Sequence, residues 1–275
     1  MQKKVLPIIK LALEEDIGRG DITTKLIIPD RKRIKAVILA KENGVVCGLD
    51  VARLVFQAVD KRTRFKFKSS DGKKVKKSQV LARLEGRAAS ILKAERVALN
   101  FLGRLSGIAT LTDKFVQKVK PNPVQIMDTR KTTPGLRMLE KYAVRCGGGT
   151  NHRMGLWDQV LVKDNHLSSL KLKAIVDKIR KKVRGKKIEI EVKNMRQFKQ
   201  ALAAAPDIIM LDNFTLKNIK KAVKLRNESR KVKLEVSGGV NLSNVRKIAA
   251  TGVERISVGK LTHSAKALDL ALNCE

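Results

Sequence analysis

The chain is poor in aromatic residues and in cysteine. One Trp, one Tyr and seven Phe occur among its 275 residues, so the aromatic platforms on which proteins stack single-stranded nucleic acids are scarce. Cys47, Cys146 and Cys274 lie far apart in the sequence and form no CxxC spacing. This pattern predicts neither a disulfide framework nor a zinc site, and it favours a reducing compartment, the cytoplasm.

Long apolar segments are also missing. No run approaches the roughly 18 apolar residues that a membrane-spanning helix needs. The opening segment, QKKVLPIIKLALEED, lacks the apolar core and the small-residue cleavage site of a secretory signal. We therefore expect a soluble, cytoplasmic protein without a membrane partner.

Acidic residues are few compared with basic ones. The chain has 26 Asp and Glu against 60 Lys and Arg, which gives a formal net charge of +34. Such a charge favours weak, salt-sensitive binding of polyanions. The basic residues are scattered, however, and no zinc-finger, RNA-recognition or basic-zipper pattern occurs. We expect no specific nucleic-acid partner, and we keep a basic nucleic-acid-binding protein as an alternative.

Residues 1–103 mix helical and strand patterns. An amphipathic helix ending at Asp16 precedes an alternating strand over Ile34–Ala40, a helix over Leu49–Asp60 and a strand at RFKFK. A lysine-rich segment, DGKKVKKSQV, is predicted to form a hairpin. This mixture of elements predicts an N-terminal α+β domain.

The rest of the chain repeats one unit, a short apolar strand that ends in polar residues and leads into a helix. The strands and their polar ends are VQIMD-TRK, QVLV-KDNH, KIEIEV-KN, DIIML-DNF, VKLEV-SGG and ERISV-GK. Such repeats predict parallel strands joined by right-handed crossovers, in a barrel or a doubly wound sheet. We favour the barrel, because SGG at 237–239 and SVG at 257–259 fit the phosphate site that barrels build after their last strands.

Basic residues cluster between residues 128 and 166. Arg130 and Lys131 follow one apolar run, His152 and Arg153 follow three glycines, and Lys163 follows a second apolar run. Cations at strand ends, beside glycines that allow close approach to the backbone, suit a small polyanion. The segment therefore predicts a site for a phosphate or a dicarboxylate.

Ordered motifs along nearly the whole chain resemble the quinolinate phosphoribosyltransferase family. They are EDIGRGDITT, CGLDVARLVF, AERVALNFLGRLSGIAT, TRKTTPG, GGGTNHRMGL, LVKDNH, EIEV, IMLDN, EVSGG and RISVG. The resemblance implies an α/β fold: an N-terminal domain of residues 1–103, joined by a C-terminal tail of about residues 265–275, and an open seven-stranded α/β barrel of residues 104–264. It also implies a homodimer or higher homo-oligomer with a shared active site.

The resemblance implies a reaction as well. Quinolinate and 5-phosphoribosyl 1-pyrophosphate (PRPP) would give nicotinate mononucleotide, CO2 and pyrophosphate, with Mg²⁺ as cofactor, in NAD biosynthesis. A paralogous phosphoribosyltransferase that acts on nicotinate or another base is the nearest alternative. The pair AERVALN and LVKDNH favours the quinolinate enzyme.

The family's quinolinate-binding positions match basic residues of this chain: Arg130, His152, Arg153, Lys163 and, from the partner subunit, Arg96. Arginine suits this task because its planar fork binds a carboxylate through two parallel hydrogen bonds. If the family resemblance is set aside, Arg96 is more simply interpreted as a residue on the surface of a helix. His152 alone is interpreted equally well as a capped or core histidine.

The remaining matches concern PRPP. Lys131 is implied to contact pyrophosphate, and Glu191 and Asp212 are implied to bind Mg²⁺ and ribose. The phosphate is expected against the two glycine turns and a nearby histidine, namely Ser237, Gly238, Gly239, Ser257, Val258, Gly259 and His263.

Three assignments stay open at this point. Glu189 shares a strand face with Glu191 and could be the functional carboxylate instead. His263 could simply begin a surface helix. Asp164, Asn165 and His166 are expected to orient the strand end at Lys163 rather than to contact the ligand.

Overall fold

The computed structural model of the protein describes residues 2–163, 172–183, 185–228 and 232–275. Two compact units divide the chain. Unit 1 consists of Met1–Leu111, Pro134–Gly148 and Ala265–Glu275, and unit 2 consists of Thr112–Thr133 and Gly149–Ser264. These units are defined by contacts within the chain. The predicted domain boundary between residues 103 and 104 concerns parts that fold independently, and it stays a prediction. Within the described ranges, no helix is both long enough and apolar enough to span a bilayer.

The helices and strands follow the predicted alternation closely. In chain order they are α1 (Gln2–Ile17), α2 (Ile22–Ile27), β1 (Arg33–Ala40), β2 (Gly44–Val45), α3 (Leu49–Val59), β3 (Arg64–Phe67), β4 (Lys74–Val75), β5 (Val80–Arg87), α4 (Ala88–Val119), β6 (Gln125–Met127), α5 (Arg137–Cys146), β7 (Val160–Val162), α6 (Leu172–Lys182), β8 (Ile188–Val192), α7 (Met195–Ala204), β9 (Ile208–Asp212), α8 (Leu216–Asn227), β10 (Lys233–Ser237), α9 (Val245–Ala249), β11 (Arg255–Ser257), α10 (Lys260–His263) and β12 (Leu270–Cys274).

Unit 1 contains a four-stranded antiparallel sheet in the order β12-β1-β5-β3. The apolar side chains Val5, Ile9 and Leu13, four residues apart on α1, are buried, as the amphipathic pattern predicts. The hairpin predicted for DGKKVKKSQV is wrong, because β4 pairs with β2 instead of β5. Both edges of β5 are already occupied by β1 and β3.

The C-terminal segment belongs to unit 1. β12 pairs antiparallel with β1, from Ala36 opposite Cys274 to Ala40 opposite Leu270. Two glycines on α4 let this segment pass close to the helix: a Cβ at Gly103 would lie 2.9 Å from the Leu268 carbonyl oxygen, and one at Gly107 would overlap the Lys266 carbonyl. The tail therefore completes the sheet of unit 1, as the family resemblance implies.

Unit 2 is built on a parallel sheet in the order β6-β11-β10-β9-β8-β7. Strands β7 to β11 follow one another in chain order, and β6, the first strand of the unit, pairs with β11, the last. This cyclic order is that of a barrel left open between β6 and β7, because a doubly wound sheet would reverse its strand order at a switch point. The prediction of an α/β barrel is confirmed.

The expected count of seven strands needs one correction. Among the described residues the parallel sheet has six strands, and Thr150 adds only an isolated parallel bridge to Met127. The bridge follows a run of glycines, Gly147–Gly149, which lack side chains to pack on a sheet and disfavour strand conformation. The chain then passes directly into the loop that carries His152.

Candidate active site

A cavity of about 690 Å³ lies at the carboxyl ends of the unit 2 strands. All but one of the predicted site residues line it: Arg130, Lys131, His152, Arg153, Lys163, Glu191, Asp212, Ser237, Gly238, Gly239, Ser257, Val258, Gly259 and His263. The exception, Arg96, is an exposed residue of α4 in unit 1. Parallel strands bring their carboxyl ends to one edge, which is why residues distant in sequence meet here.

The cavity favours an anionic ligand. Among the described residues, its Lys and Arg side chains are Arg130, Lys131, Arg153, Lys163 and Lys260, against two carboxylates, Glu191 and Asp212. Lys260 was not predicted from the sequence, although it follows Gly259 directly. A volume of this size is within the ordinary range for small-molecule sites.

Hydrogen bonds tie the loop after β6 to the loop after β11. The Thr262 hydroxyl donates to the Lys131 carbonyl at 2.6 Å, and Val258 N donates to the Met127 carbonyl at 2.8 Å. Within the first loop, Lys131 N donates to the Thr129 hydroxyl at 3.0 Å. These contacts hold the backbone that carries Lys131 against the turn at Gly259.

The two glycine turns present backbone rather than side chains to the cavity. Gly238 and Gly239 have φ of +82° and +62°, which side chains rarely tolerate. A Cβ at Gly238 would also overlap the Asn213 carboxamide, and one at Gly259 would lie 3.2 Å from both Lys131 Cδ and His263 Nε2. Small residues are therefore required at the positions where an anion would approach backbone N–H groups.

The carboxylates divide between the cavity and the interior of the barrel. Glu191, the residue before the last of β8, lines the cavity. Asp212 ends the adjacent β9, and Asn213 Nδ2 donates to its carboxylate at 3.1 Å. Glu189 is fully buried instead and does not line the cavity. Of the two glutamates on β8, Glu191 is the one that lines the cavity.

His152 lies in a buried cluster of charges beneath the cavity. Its Nε2 lies 3.2 Å from Glu189 Oε2 and 3.3 Å from Glu235 Oε1. Arg255 Nη1 lies 4.0 Å from the other oxygen of Glu235, and Gln159 Nε2 donates to Glu189 at 2.7 Å. Buried carboxylates need such partners, because an isolated buried charge is strongly destabilising.

The protonation of His152 follows from these neighbours. Burial lowers its pKa, but the hydrogen bonds and charges of Glu189 and Glu235 outweigh burial and raise the pKa to about 10. Arg153 N donates to Nδ1 at 2.7 Å, a contact that favours the neutral ring. The carboxylates carry more weight, because charged hydrogen bonds are about twice as strong as neutral ones. The raised pKa thus favours the protonated ring, while the hydrogen bond to Nδ1 opposes it.

Two further groups titrate away from their ordinary values. Burial and the charge of Glu235 raise the pKa of Glu189, against the opposing effect of His152. Burial and the neighbouring Arg130 lower the pKa of Arg153, against Glu189 and Glu191.

The loop that carries His152 is held by a residue that sequence reasoning did not single out. The fully buried Asp128 accepts a hydrogen bond from His152 N at 2.9 Å, and Asp128 N donates to the Thr150 carbonyl at 3.3 Å. Glu235 was missed as well. The signal was present, because a carboxylate inside an apolar strand, VKLEV, must find a buried partner.

Asp164, Asn165 and His166, which we expected to orient the strand end, lie outside the described residues. Lys163, directly before them, lines the cavity.

Replacing Glu189 by Gln should lower the pKa of His152 from about 10 toward its ordinary value, because one of the two carboxylates that favour the cation is lost. The measurement is ¹⁵N NMR of histidine-labelled protein, which contains only three histidines. Glu191→Gln, the same change two residues along β8, is the matched control and should shift this pKa less.

A second readout is stability. The folded-state pKa of His152 is raised from 6.5 to about 10, so its contribution to the free energy of unfolding is fully present below pH 6.5 and is lost as pH rises to about 10. Glu189→Gln should flatten this decline. A wild-type His152 that titrates near 6.5 would contradict the proposed cluster.

Known proteins resemble the chain along its length. Residues 21–106 and 108–273 match the sequence profiles of the N-terminal and C-terminal domains of quinolinate phosphoribosyl transferase. A probable nicotinate-nucleotide pyrophosphorylase (carboxylating) from Methanocaldococcus jannaschii is 43% identical over 276 residues, covering 98% of this chain and 96% of the relative. The solved nicotinate-nucleotide pyrophosphorylase from Francisella tularensis is similar with a TM-score of 0.94 at 41% identity, covering 100% of this chain and 97% of that one.

A more distant structure, human nicotinic acid phosphoribosyltransferase, shares the fold alone, with a TM-score of 0.64 at 9% identity, covering 98% of this chain and 73% of that one. Both domain profiles and relatives above 40% identity over nearly the full length point the same way. This chain belongs to the quinolinate phosphoribosyltransferase family.

Proposed function

We propose that this chain transfers the phosphoribosyl group of PRPP to quinolinate with decarboxylation, forming nicotinate mononucleotide, CO2 and pyrophosphate for NAD biosynthesis. One observation carries the proposal. The unit 2 cavity combines cations for a dicarboxylate, backbone turns for a phosphate and two carboxylates for a metal ion. Family membership supports this choice of substrates, since the Methanocaldococcus and Francisella relatives are named for the same product nucleotide.

Quinolinate is a flat pyridine with two adjacent carboxylates, so its pocket needs several cations in fixed positions. We assign this role to Arg130, His152, Arg153 and Lys163. The buried carboxylates support the assignment, because they favour His152 as a cation. Two arginines add bidentate hydrogen bonding, which orients a planar dicarboxylate better than point charges do.

PRPP carries a 5′-phosphate and a pyrophosphate. We assign the 5′-phosphate to the turns Ser237–Gly239 and Ser257–Gly259, with His263 nearby, and the pyrophosphate to Lys131. The lining of the cavity by three glycines supports this assignment, because a glycine can contribute only backbone atoms.

We propose Mg²⁺ as the cofactor, held by Glu191 and Asp212, which also bind the ribose. The donor set fits: Mg²⁺ usually takes one or two carboxylates and completes its shell with water and phosphate oxygens. The two carboxylates lie near the carboxyl ends of adjacent strands and line the cavity. When bound, Mg²⁺ supplies positive charge that stabilises a departing pyrophosphate.

The chemistry requires positioning and electrostatics more than a strong base. The pyridine nitrogen forms a bond to the anomeric carbon as the bond to pyrophosphate breaks, and Lys131 stabilises the charge on the leaving oxygen. The ring nitrogen, now cationic, draws in the electron pair of the adjacent carbon–carboxylate bond, CO2 leaves, and the ring carbon takes a proton from water. Arg130 and Lys163 hold the ring throughout.

We further propose a cytoplasmic homodimer or higher homo-oligomer in which Arg96 completes the site of the partner subunit. Arg96 is exposed on α4, and its motif, AERVALN, matches the family position that crosses to the neighbour. Free cysteines fit a reducing compartment, since the structure has no disulfide among its three cysteines.

The test of the proposed function is a comparison of substrates. Purified protein with PRPP and Mg²⁺ should consume quinolinate and release CO2. Nicotinate and nicotinamide should be turned over at least about 100-fold less efficiently, because nicotinate lacks one, and nicotinamide both, of the anionic carboxylates for the cations to bind. Preference for nicotinate would favour the paralogous phosphoribosyltransferase. Absence of turnover with all three bases would contradict the proposal.

Arg130→Ala and Lys163→Ala should each lower kcat/KM for quinolinate by roughly 100-fold or more, because each removes a charged contact to the reacting ring. Circular dichroism and the melting temperature should stay close to those of the wild type, since both residues line a cavity. Arg246→Ala, an exposed arginine of α9 outside the cavity, is the control and should keep full activity. Near-normal turnover in both site variants would overturn the assignment.

Mixing inactive variants tests the shared site. Arg96→Ala and Lys163→Ala are each expected to be inactive, and exchange of subunits should restore about one quarter of wild-type turnover, because half of the dimers become hybrids with one intact site. Subunit exchange is checked with differently tagged chains. No recovery after proven exchange would contradict a contribution of Arg96 in trans.

A further inference from the structure

Unit 1 contains a second cluster of reactive side chains, formed by Cys47, Asp71 and Cys146. One ligand atom from each, the two Sγ atoms and a carboxylate oxygen, lie within 4.8 Å of one another. The residues come from three segments: the stretch after β2, the turn between β3 and β4, and the end of α5. None of them lines the unit 2 cavity, so the proposed reaction does not explain why they converge.

Asp71 is held in a fixed orientation. One carboxylate oxygen accepts a hydrogen bond from Leu49 N at 3.0 Å, and the other accepts from the Tyr142 hydroxyl at 2.9 Å. Each oxygen keeps a second lone pair. Partners of this kind fix the direction of a ligating carboxylate in protein metal sites.

The backbone around the two thiols is also constrained. Cys47 N donates to the Ser106 hydroxyl at 2.9 Å, and that hydroxyl donates back to the Cys47 carbonyl at 3.2 Å. In the turn that carries Asp71, Gly72 has φ of +86°, and a Cβ there would lie 3.3 Å from the Cys146 carbonyl oxygen. Glycine is therefore required for the turn to approach the end of α5.

The donor set suits zinc. Zn²⁺ binds thiolates at about 2.3 Å and carboxylates at about 2.0–2.2 Å in a tetrahedron. Two donors on such a tetrahedron lie roughly 3.3–3.8 Å apart, which is compatible with the 4.8 Å limit on the cluster. Water or the Tyr142 hydroxyl can take the fourth position.

A cavity borders the carboxylate of this cluster. A cavity of about 240 Å³ is bordered by Asp71 and Tyr142, together with Asp50 and Arg53. Cys47 is fully buried, whereas Asp71 and Cys146 are half-buried. Of the three cluster residues, Asp71 is therefore the one that an ion in this cavity would contact first.

We propose that Cys47, Asp71 and Cys146 form a zinc-binding site. On binding, the two thiol protons pass to solvent and two zinc–sulfur bonds and one zinc–oxygen bond form. A regulatory disulfide between Cys47 and Cys146 would use only the two sulfur atoms. It would not use the Asp71 carboxylate, which converges with the two thiols.

The test uses tag-free, full-length protein stripped of metal and kept in a thiol-free reductant. Addition of Co²⁺ as a spectroscopic substitute for zinc should produce a thiolate-to-cobalt charge-transfer band that saturates at one equivalent per chain and disappears when Zn²⁺ is added. Cys146→Ser should abolish the band. Asp71→Asn should weaken Zn²⁺ binding, measured against a chromophoric chelator, by at least about 10-fold.

Cys274→Ser is the matched control, because Cys274 is exposed and outside the cluster. This variant should keep the band and the affinity of the wild type. If Cys146→Ser fails to fold, protection of Cys146 from alkylation by Zn²⁺ in the wild type, mapped by mass spectrometry, replaces it. The proposal would be overturned if the wild type gave no cobalt band or if Cys146→Ser kept the band. Unchanged Zn²⁺ affinity in Asp71→Asn, or no protection of Cys146 from alkylation by Zn²⁺, would overturn it as well. A Cys47–Cys146 disulfide formed with peroxide in a protein that binds no metal would overturn it too.

Discussion

The direction of the unit 2 strands is the constraint on which the candidate site depends. All neighbouring strands in this sheet are parallel, so every carboxyl end, with the loop that follows it, lies on the same edge. Residues far apart in sequence, from Arg130 to His263, thereby line one cavity. The crossover helices cover the sheet and keep its strands apolar, which leaves the strand ends as the natural positions for charged groups.

Burial of charge beneath this edge sets the character of the cavity. His152, Glu189, Glu235 and Arg255 form a cluster of two acids and two bases whose charges balance when the ring of His152 is protonated. Desolvation of these buried groups offsets part of the attraction between their charges. The carboxylates of the cluster raise the pKa of His152, which lines the cavity, and Asp128 fixes the backbone of that residue.

The sequence predicts well what is local and poorly what depends on pairing across the chain. The strands of unit 2 and their polar ends could be predicted because each is a short apolar run followed directly by a charged or glycine residue, as in DIIML before Asp212. The pairing of β4 with β2 could not be predicted, because it depends on β1 and β3 having filled the edges of β5. For the same reason, the spacing of Cys47 and Cys146 in the sequence did not predict that their side chains lie close together.

The excess of basic residues acts differently near the cavity and far from it. Charges on the surface are screened over about 8–10 Å at physiological salt. Most of the net charge of +34 therefore acts on a bound ligand only weakly. It also destabilises the folded chain through repulsion between like charges. The cations that line the cavity act at contact distance and are less screened. Quinolinate, PRPP and pyrophosphate are all anions, so the same field that speeds binding also slows release of pyrophosphate. At low salt, substrates should therefore bind faster and pyrophosphate should dissociate more slowly. Added salt should slow substrate binding and speed the dissociation of pyrophosphate.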